Sequence, residues 1–278
     1  MLADVADLLT CPQCGSEAGS PLTLEGRTLH CPRGHSFDLA RQGYVNLLTH
    51  AAPANADTAD MVAARDRFLS SGAYAPIRDE LARRVGTVRT VLEVGAGTGY
   101  YLAGCLGPAT AAGGRGLALD ISPAAARRAA RAHPRIGAVV ADTWAGLPVR
   151  SGSVDVLLAV FAPRNPAEFA RVLAPQGRVL VALPLPDHLA ELRAELGLLD
   201  IEADKESRLL AQFAGHLQPA GHVDVRFELT LSAPAAQDLV AMGPNAFHGR
   251  KRDSGADDVE AGPRTVTVAV RIRAFTRS

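Results

Sequence analysis

The sequence predicts an α/β protein: a doubly wound parallel sheet preceded by a small N-terminal zinc-binding domain. Two observations carry this expectation. From residue 90 onward, short continuous apolar runs alternate with segments of helical period. Ahead of them, three of the four cysteines fall at Cys11, Cys14 and Cys31, with His35 four residues further on.

A chain of 278 residues has room for a main domain and a small one. Its 47% hydrophobic and 21% charged residues are ordinary for a soluble globular protein. No apolar run reaches the roughly 18 residues that span a bilayer. The start, MLADVADLLT, lacks the basic region of a secretory signal. The expectation is a cytoplasmic protein with no membrane partner. A formal net charge of zero argues against non-specific coating of nucleic acid and leaves a local basic patch open. Lys205 and Lys251 are the only lysines. The remaining basic side chains are arginines, whose fork suits phosphate.

The cysteines read Cys11-x2-Cys14-x16-Cys31-x3-His35. Two close pairs joined by a loop are what a tetrahedral zinc site needs. Pro12 and Gly15 in the first pair, and Pro32 and Gly34 in the second, suit the tight bends. Disulfides fit poorly with a chain that shows no secretory signal. Residues 1–48 alone are too few for a core, and a structural zinc offsets part of their ordering entropy. His35 is the expected fourth ligand, with His30 as the alternative. Cys105, in the apolar YYLAGCLG, is expected to pack.

Residues 49–60, THAAPANADTAD, have no apolar period and read as a linker. The second domain is then 61–278. Its first segment, 61–85, has helical spacing interrupted at Ser70-Ser71-Gly72 and Pro76, so two helices are expected. Strands follow at TVLEVG, GLALDI, IGAVVAD, VDVLLAVF and GRVLVALP. Helices are expected at TGYYLAGCL, PAAARRAARA, PAEFARVL and HLAELRAELGLL. Near the end, HVDVRFELTL and TVTVAVRIRAF alternate as an antiparallel pair at the sheet edge, separated by the helix PAAQDLVAM and a charged loop.

Gly95-Ala96-Gly97-Thr98-Gly99 leaves a strand and opens a helix, so backbone can approach a ligand there. A dinucleotide site would prefer GxGxxG, and Tyr100 stands where its third glycine would fall. Glu93 precedes the turn. Asp120 ends the second strand, where ribose hydroxyls would be held. Asp142 ends VVAD, placed for an adenine edge, and Asp155 enters the next strand. Together these motifs resemble class I S-adenosylmethionine-dependent methyltransferases over about residues 90–185, which implies a Rossmann-like sheet and that cofactor.

More of the chain carries a narrower resemblance. CPxCG, CPRGHSFDLARQGYVNLL, DMVAARDRFLSSGAYAPI, EVGAGTGYY, VFAPRNPAEFARVL and MGPNAF resemble the 23S rRNA (guanine-N1)-methyltransferases, most of all the Gram-positive, tylosin-resistance type. The resemblance implies zinc on Cys11, Cys14, Cys31 and His35. It implies a cofactor site that includes Tyr74, Gly97, Thr98 and His188, alongside Glu93, Gly95, Gly99, Asp120 and Asp142 of the class I pattern. It implies methyl transfer to N1 of a guanine in hairpin 35 of 23S rRNA, guanine 748, a contribution to macrolide (tylosin) resistance, and an RNA grip by the zinc domain. A homodimer is left open. Two departures stand out. Phe247 replaces the family's tryptophan, and GRKRDSGADDVEAGPR is short and charged where relatives carry more helix.

Guanine N1 is a poor nucleophile until its proton leaves, so a base or a donor to O6 is needed. VFAPRNP lies where class I enzymes meet their substrate. Phe161 is the candidate to stack on the base and Arg164 to face O6 or a phosphate. Arg65, Arg67, Arg127, Arg128, Arg131 and Arg135 are candidates for a phosphate track, and Arg33 and Arg41 for the zinc domain's share. Two rivals remain: a small-molecule methyltransferase, or a non-catalytic zinc- and cofactor-binding regulator. Neither needs the zinc segment with its GYVNLL tail.

Overall fold

The computed structural model describes residues 1–15, 19–54, 56–107, 113–197, 204–243 and 262–277. A three-stranded antiparallel sheet comes first, with β1 (Thr23–Glu25), β2 (Thr28–His30) and β3 (Ser36–Asp38) in order. β4 (Tyr44–Asn46) follows. Helices α1 (Ala59–Ser70) and α2 (Ala75–Val85) are next, and the break between them contains Gly72 at φ +82°. The Thr58 hydroxyl caps α1 by accepting from Met61 N–H at 3.3 Å.

The central alternation is β5 (Thr90–Val94), α3 (Tyr100–Cys105), β6 (Arg115–Asp120), α4 (Pro123–Ala129) and β7 (Ile136–Val140). It continues as β8 (Val154–Val160), α5 (Pro166–Val172), β9 (Leu173–Pro184), α6 (Ala190–Leu196) and α7 (Lys205–Phe213). β10 (Gln218–Leu231), α8 (Ala233–Ala241) and β11 (Arg264–Thr276) close the chain. Every residue of β5 and β7 is buried, as expected of strands covered on both faces.

The main sheet has the order β10-β11-β9-β8-β5-β6-β7-β4. β4, β7, β6, β5, β8 and β9 run parallel; β11 pairs antiparallel with β9 and with β10 at the edge. The chain builds outward from β5 to β6 and β7, then returns to β8 on the other side. That reversal opens a crevice at the carboxyl ends of β5, β6 and β8, the place where open α/β sheets bind ligands.

Three features differ from the sequence expectation. The segment read as a linker to residue 60 is already helical at Ala59. The GYVNLL tail packs on the metal knuckle and also joins the main sheet: Tyr44, Val45 and Asn46 pair in parallel with Ala138, Val139 and Val140. A continuous core runs from Leu22, Leu29 and Val45 to Leu92, Leu117 and Val139. α7, which no apolar period announced, buries Phe213 flat against Phe275 at 4.1 Å between centroids. Phe247 and most of the charged loop that follows lie outside the described residues.

Residues 1–10 are also bound to the main sheet. Leu9 bridges Val149, Thr10 N–H donates to the Pro148 carbonyl at 3.0 Å, and Arg115 grips Asp7 at 2.5 Å. Gly137 makes room for this segment, because a Cβ there would sit 2.2 Å from Val5 Cγ2. Gly137→Ala is therefore expected to lower stability by about 1–3 kcal/mol, read by urea denaturation. The same variant should expose residues 1–10 to faster amide exchange.

Candidate active site and metal centre

Cys11, Cys14, Cys31 and His35 converge, with all four ligand atoms within 4.8 Å of one another. Cys14 Sγ lies 3.5 Å from Cys31 Sγ and 3.5 Å from His35 Nδ1; Cys11 Sγ lies 3.4 Å from the same nitrogen. A disulfide needs sulfurs about 2.05 Å apart. Zinc–sulfur bonds of about 2.3 Å at tetrahedral angles place two sulfurs about 3.8 Å apart, close to what is seen. Two turns build the cluster. Cys14 N–H donates to the Cys11 carbonyl, and Gly34 N–H donates to the Cys31 carbonyl at 2.9 Å. Arg33 N–H faces Cys31 Sγ at 3.4 Å, the kind of outer donor that steadies a thiolate ligand. His30 ends β2 exposed and outside the cluster.

At the carboxyl end of β5 the chain turns through Gly95, Gly97 and Gly99 at φ +61°, +53° and +75°. Asp120 holds the turn from the end of β6: Oδ2 accepts from Gly97 N–H at 2.7 Å and Oδ1 from Ser122 N–H at 2.9 Å. Glu93 lies beneath, accepting from Leu102 N–H at 3.1 Å. Burial, and Asp120 nearby, raise the Glu93 carboxyl to about 8 against the pull of that N–H. Burial also raises Asp120. Asp142 lies two residues beyond β7, where it accepts from Trp144 N–H and pairs with His50. Asp155 sits at the other end of the sheet, capping the start of β5 by accepting from Arg89 and Thr90 N–H.

Across the crevice, Tyr74 and His188 are both buried, with Oη 3.4 Å from Nε2. Nδ1 of His188 accepts from Ala269 N–H at 3.2 Å, which places the proton of the neutral ring on Nε2. Burial, helped by Arg193, lowers this histidine to about 4 and keeps it neutral. Phe161 stacks on it at 6.1 Å and 25°, yet remains 43% exposed. Among the described residues, Phe161 and Leu189 are the non-glycine residues at positive φ, +53° and +55°. Such backbone strain clusters at functional sites, and here it flanks the histidine on both sides. Arg164, three residues on, has a buried Nε with no acceptor among the described residues, and burial lowers its pKa.

Comparison with known proteins agrees with this architecture. Residues 9–52 match the zinc-ribbon family described as RlmA, N-terminal, and residues 91–180 match a methyltransferase domain. The 23S rRNA (guanine(748)-N(1))-methyltransferase of Streptomyces fradiae is 48% identical over 254 residues, 89% of each chain. A protein of Micromonospora griseorubida assigned to the 23S rRNA (guanine-N1)-methyltransferases is 44% identical over 294 residues, 99% of each chain. YxjB of Bacillus subtilis, with the same assignment, is 31% identical over 95% of this chain and 96% of its own. The chain belongs to the 23S rRNA (guanine-N1)-methyltransferase family.

As a member of that family it is a methyltransferase that uses S-adenosylmethionine and carries a zinc ribbon. The cradle suits the cofactor: three glycines bring the backbone close, and acids end the neighbouring strands. Tyr74, Glu93, Gly95, Gly97, Thr98, Gly99, Asp120 and His188 gather at one end of the sheet with Phe161 and Arg164, and Asp142 lies further along the same edge. The phosphate track fares differently in this methyltransferase. Arg65 pairs with Asp57, Arg67 with Asp238 and Arg128 with Asp66, while Arg135 donates to the Leu106 carbonyl. These four each have an intramolecular partner, although Arg67 stays exposed at the surface. Arg127, Arg131, Arg33 and Arg41 are exposed. Sequence reasoning missed Asp57 and Ser122, which meet beside the turn when Ser122 Oγ donates to the Asp57 carbonyl at 2.6 Å. Both looked like ordinary cap and linker residues.

Two outcomes follow for this enzyme. Cys31→Ser should abolish stoichiometric zinc by elemental analysis, and it should loosen the amides of Val45 and Leu47, which share a core with the ligands. Glu93 prefers its neutral form when folded, so its contribution to stability is complete below about 4.5 and declines as pH rises towards about 8. Glu93→Gln keeps an acceptor for Leu102 N–H and should flatten that decline in Tm measured from pH 5 to 8.

Proposed function

We propose that this chain transfers the methyl group of S-adenosylmethionine to N1 of a guanine in hairpin 35 of 23S rRNA, guanine 748, and thereby contributes to macrolide (tylosin) resistance. The observation that carries the reading is the joining of a zinc ribbon and a methyltransferase sheet through β4. Neither a small-molecule methyltransferase nor a non-catalytic regulator requires a metal module built into its sheet.

When bound, the cofactor supplies an already activated methyl on its sulfonium, so the protein's task is positioning and handling of charge. The glycine turn and Asp120 would hold the nucleoside end, with Tyr74 and His188 closing the other side. Because His188 offers its proton towards Tyr74, the Tyr74 hydroxyl keeps its own proton for a further acceptor. Phe161 gives an exposed aromatic face to a guanine drawn out of its stack. Arg164 carries an unspent N–H donor into the same loop. Aimed at O6, it would stabilise the negative charge that develops as the N1 proton leaves. The exposure of Arg33 and Arg41 around the ribbon supports a part for them in meeting phosphates. We extend the proposal to them with the hairpin as partner.

Primer extension on rRNA from cells with and without the gene tests the substrate. N1 methylation blocks Watson–Crick pairing, so reverse transcriptase should stop at one guanine of that hairpin only when the gene is present. Identical traces would overturn the function. Phe161→Ala should lower kcat by about 10- to 100-fold, in line with the 1–3 kcal/mol of base stacking, with cofactor affinity held within a factor of two. Arg33→Glu with Arg41→Glu should weaken RNA binding and flatten its salt dependence while cofactor binding stays constant by calorimetry.

A further inference from the structure

Arg65 does more than form an ion pair with Asp57. It rises from α1, across the crevice from the sheet, and lies directly on the glycine turn. A Cβ at Gly97 would sit 3.1 Å from Arg65 Nη1 and 3.3 Å from Cδ. The guanidinium is held from two further directions. Nη1 pairs with Asp57, and Nη2 donates to the Met242 carbonyl at 2.6 Å beyond the end of α8. Asp57 is itself fixed, since its carbonyl accepts from Ser122 at the start of α4. Both members of the pair remain about one-fifth exposed, at 22% and 23%.

Asp57 and Asp120 face the turn as acids, Glu93 lies beneath it in its neutral form, and the other near neighbours of Gly95, Gly97 and Gly99 are Ala162, Pro163, Ala129 and Ala132. Thr98 also lines a cavity with Arg78, Arg128 and Arg131, and Arg65 is the cation in contact with Gly97. A ligand that places hydroxyls or a cation here finds acids. A ligand that places a carboxylate here finds Arg65. S-adenosylmethionine carries one carboxylate, on its amino-acid end, and a fixed forked donor matches that group.

We propose that Arg65 is the positioning residue that receives the α-carboxylate of S-adenosylmethionine, with Asp57 holding the guanidinium ready over Gly97. The inference rests on the assignment of the glycine turn to that cofactor. It turns a residue that the sequence offered for RNA phosphate into one that sets cofactor affinity.

The test compares two ligands that differ only in this group, S-adenosylmethionine and its decarboxylated form, by calorimetry on the full zinc-loaded chain. Arg65→Gln should weaken S-adenosylmethionine by about 10- to 100-fold, the range for a charge-assisted hydrogen bond, and change the decarboxylated ligand less than about threefold. Arg65→Lys should recover part of the loss, because it keeps the charge and gives up the fork. Should Arg65→Gln fail to fold, Arg65→Lys is read through the same ligand ratio. Equal weakening of both ligands would overturn the proposal and make Arg65 a scaffold of the turn. Asp120→Asn separates the underlying assignment: it should weaken both ligands. If it leaves both untouched, the site itself is misplaced and the carboxylate anchor falls with it.

Discussion

The structure depends on a scarcity of space at residues 95–99. Three different elements press on the turn, each at a different glycine. Ala162, from the loop after β8, would be 2.7 Å from a Cβ on Gly95; Arg65 closes on Gly97; Ala132 and Ala129 close on Gly99. A Cβ at Gly95 would clash and one at Gly97 or Gly99 would be tight, and the positive φ at all three would strain a side chain in any case. This crowding brings the loop after β8, the first helix and α4 to one point. Two buried carboxyl groups then satisfy amides at the turn and at the start of α3: Asp120 takes Gly97 N–H and Glu93 takes Leu102 N–H.

The metal module joins this frame by packing rather than by a tether. Cys11 and Cys31 are buried in the same cluster as Leu29, Val45 and Leu117. The Cys3His cluster therefore stands at one end of a core whose other end supports the glycine turn. Short strands such as β1 to β3 have little burial of their own, and metal ligation is the device small modules use to offset it.

Much of this organisation was legible in the chain. The buried strands β5 to β9 announced themselves as continuous apolar runs, and the cysteine–histidine spacing announced the metal because ligand geometry is local. What stayed hidden is decided at long range. β4 is three residues long, too short for any period, and becomes a strand only because β7 offers an unpaired edge. α7 carries its helix in KESRLLAQF with two fully buried positions, Leu209 and Phe213, and those are defined by partners far away in sequence. Arg65 looked like one more basic residue on a helix face. Only the fold shows that this face looks down onto Gly97. Phe161 and His188 were visible singly, but their stacking and the backbone strain beside each were not.

The parallel pairing of Tyr44–Asn46 with β7 has a mechanical consequence. A recognition module on a hinge could swing until any base met the methyl donor. Here the ribbon is fastened at both ends, by Leu9 and Thr10 before it and by β4 after it. The distance from its surface to the crevice is thus a property of the sheet, as constant as the spacing between strands. On the proposed reading the protein works as a caliper: an RNA fold that spans the gap would present its base at the right place, and one of another length would not.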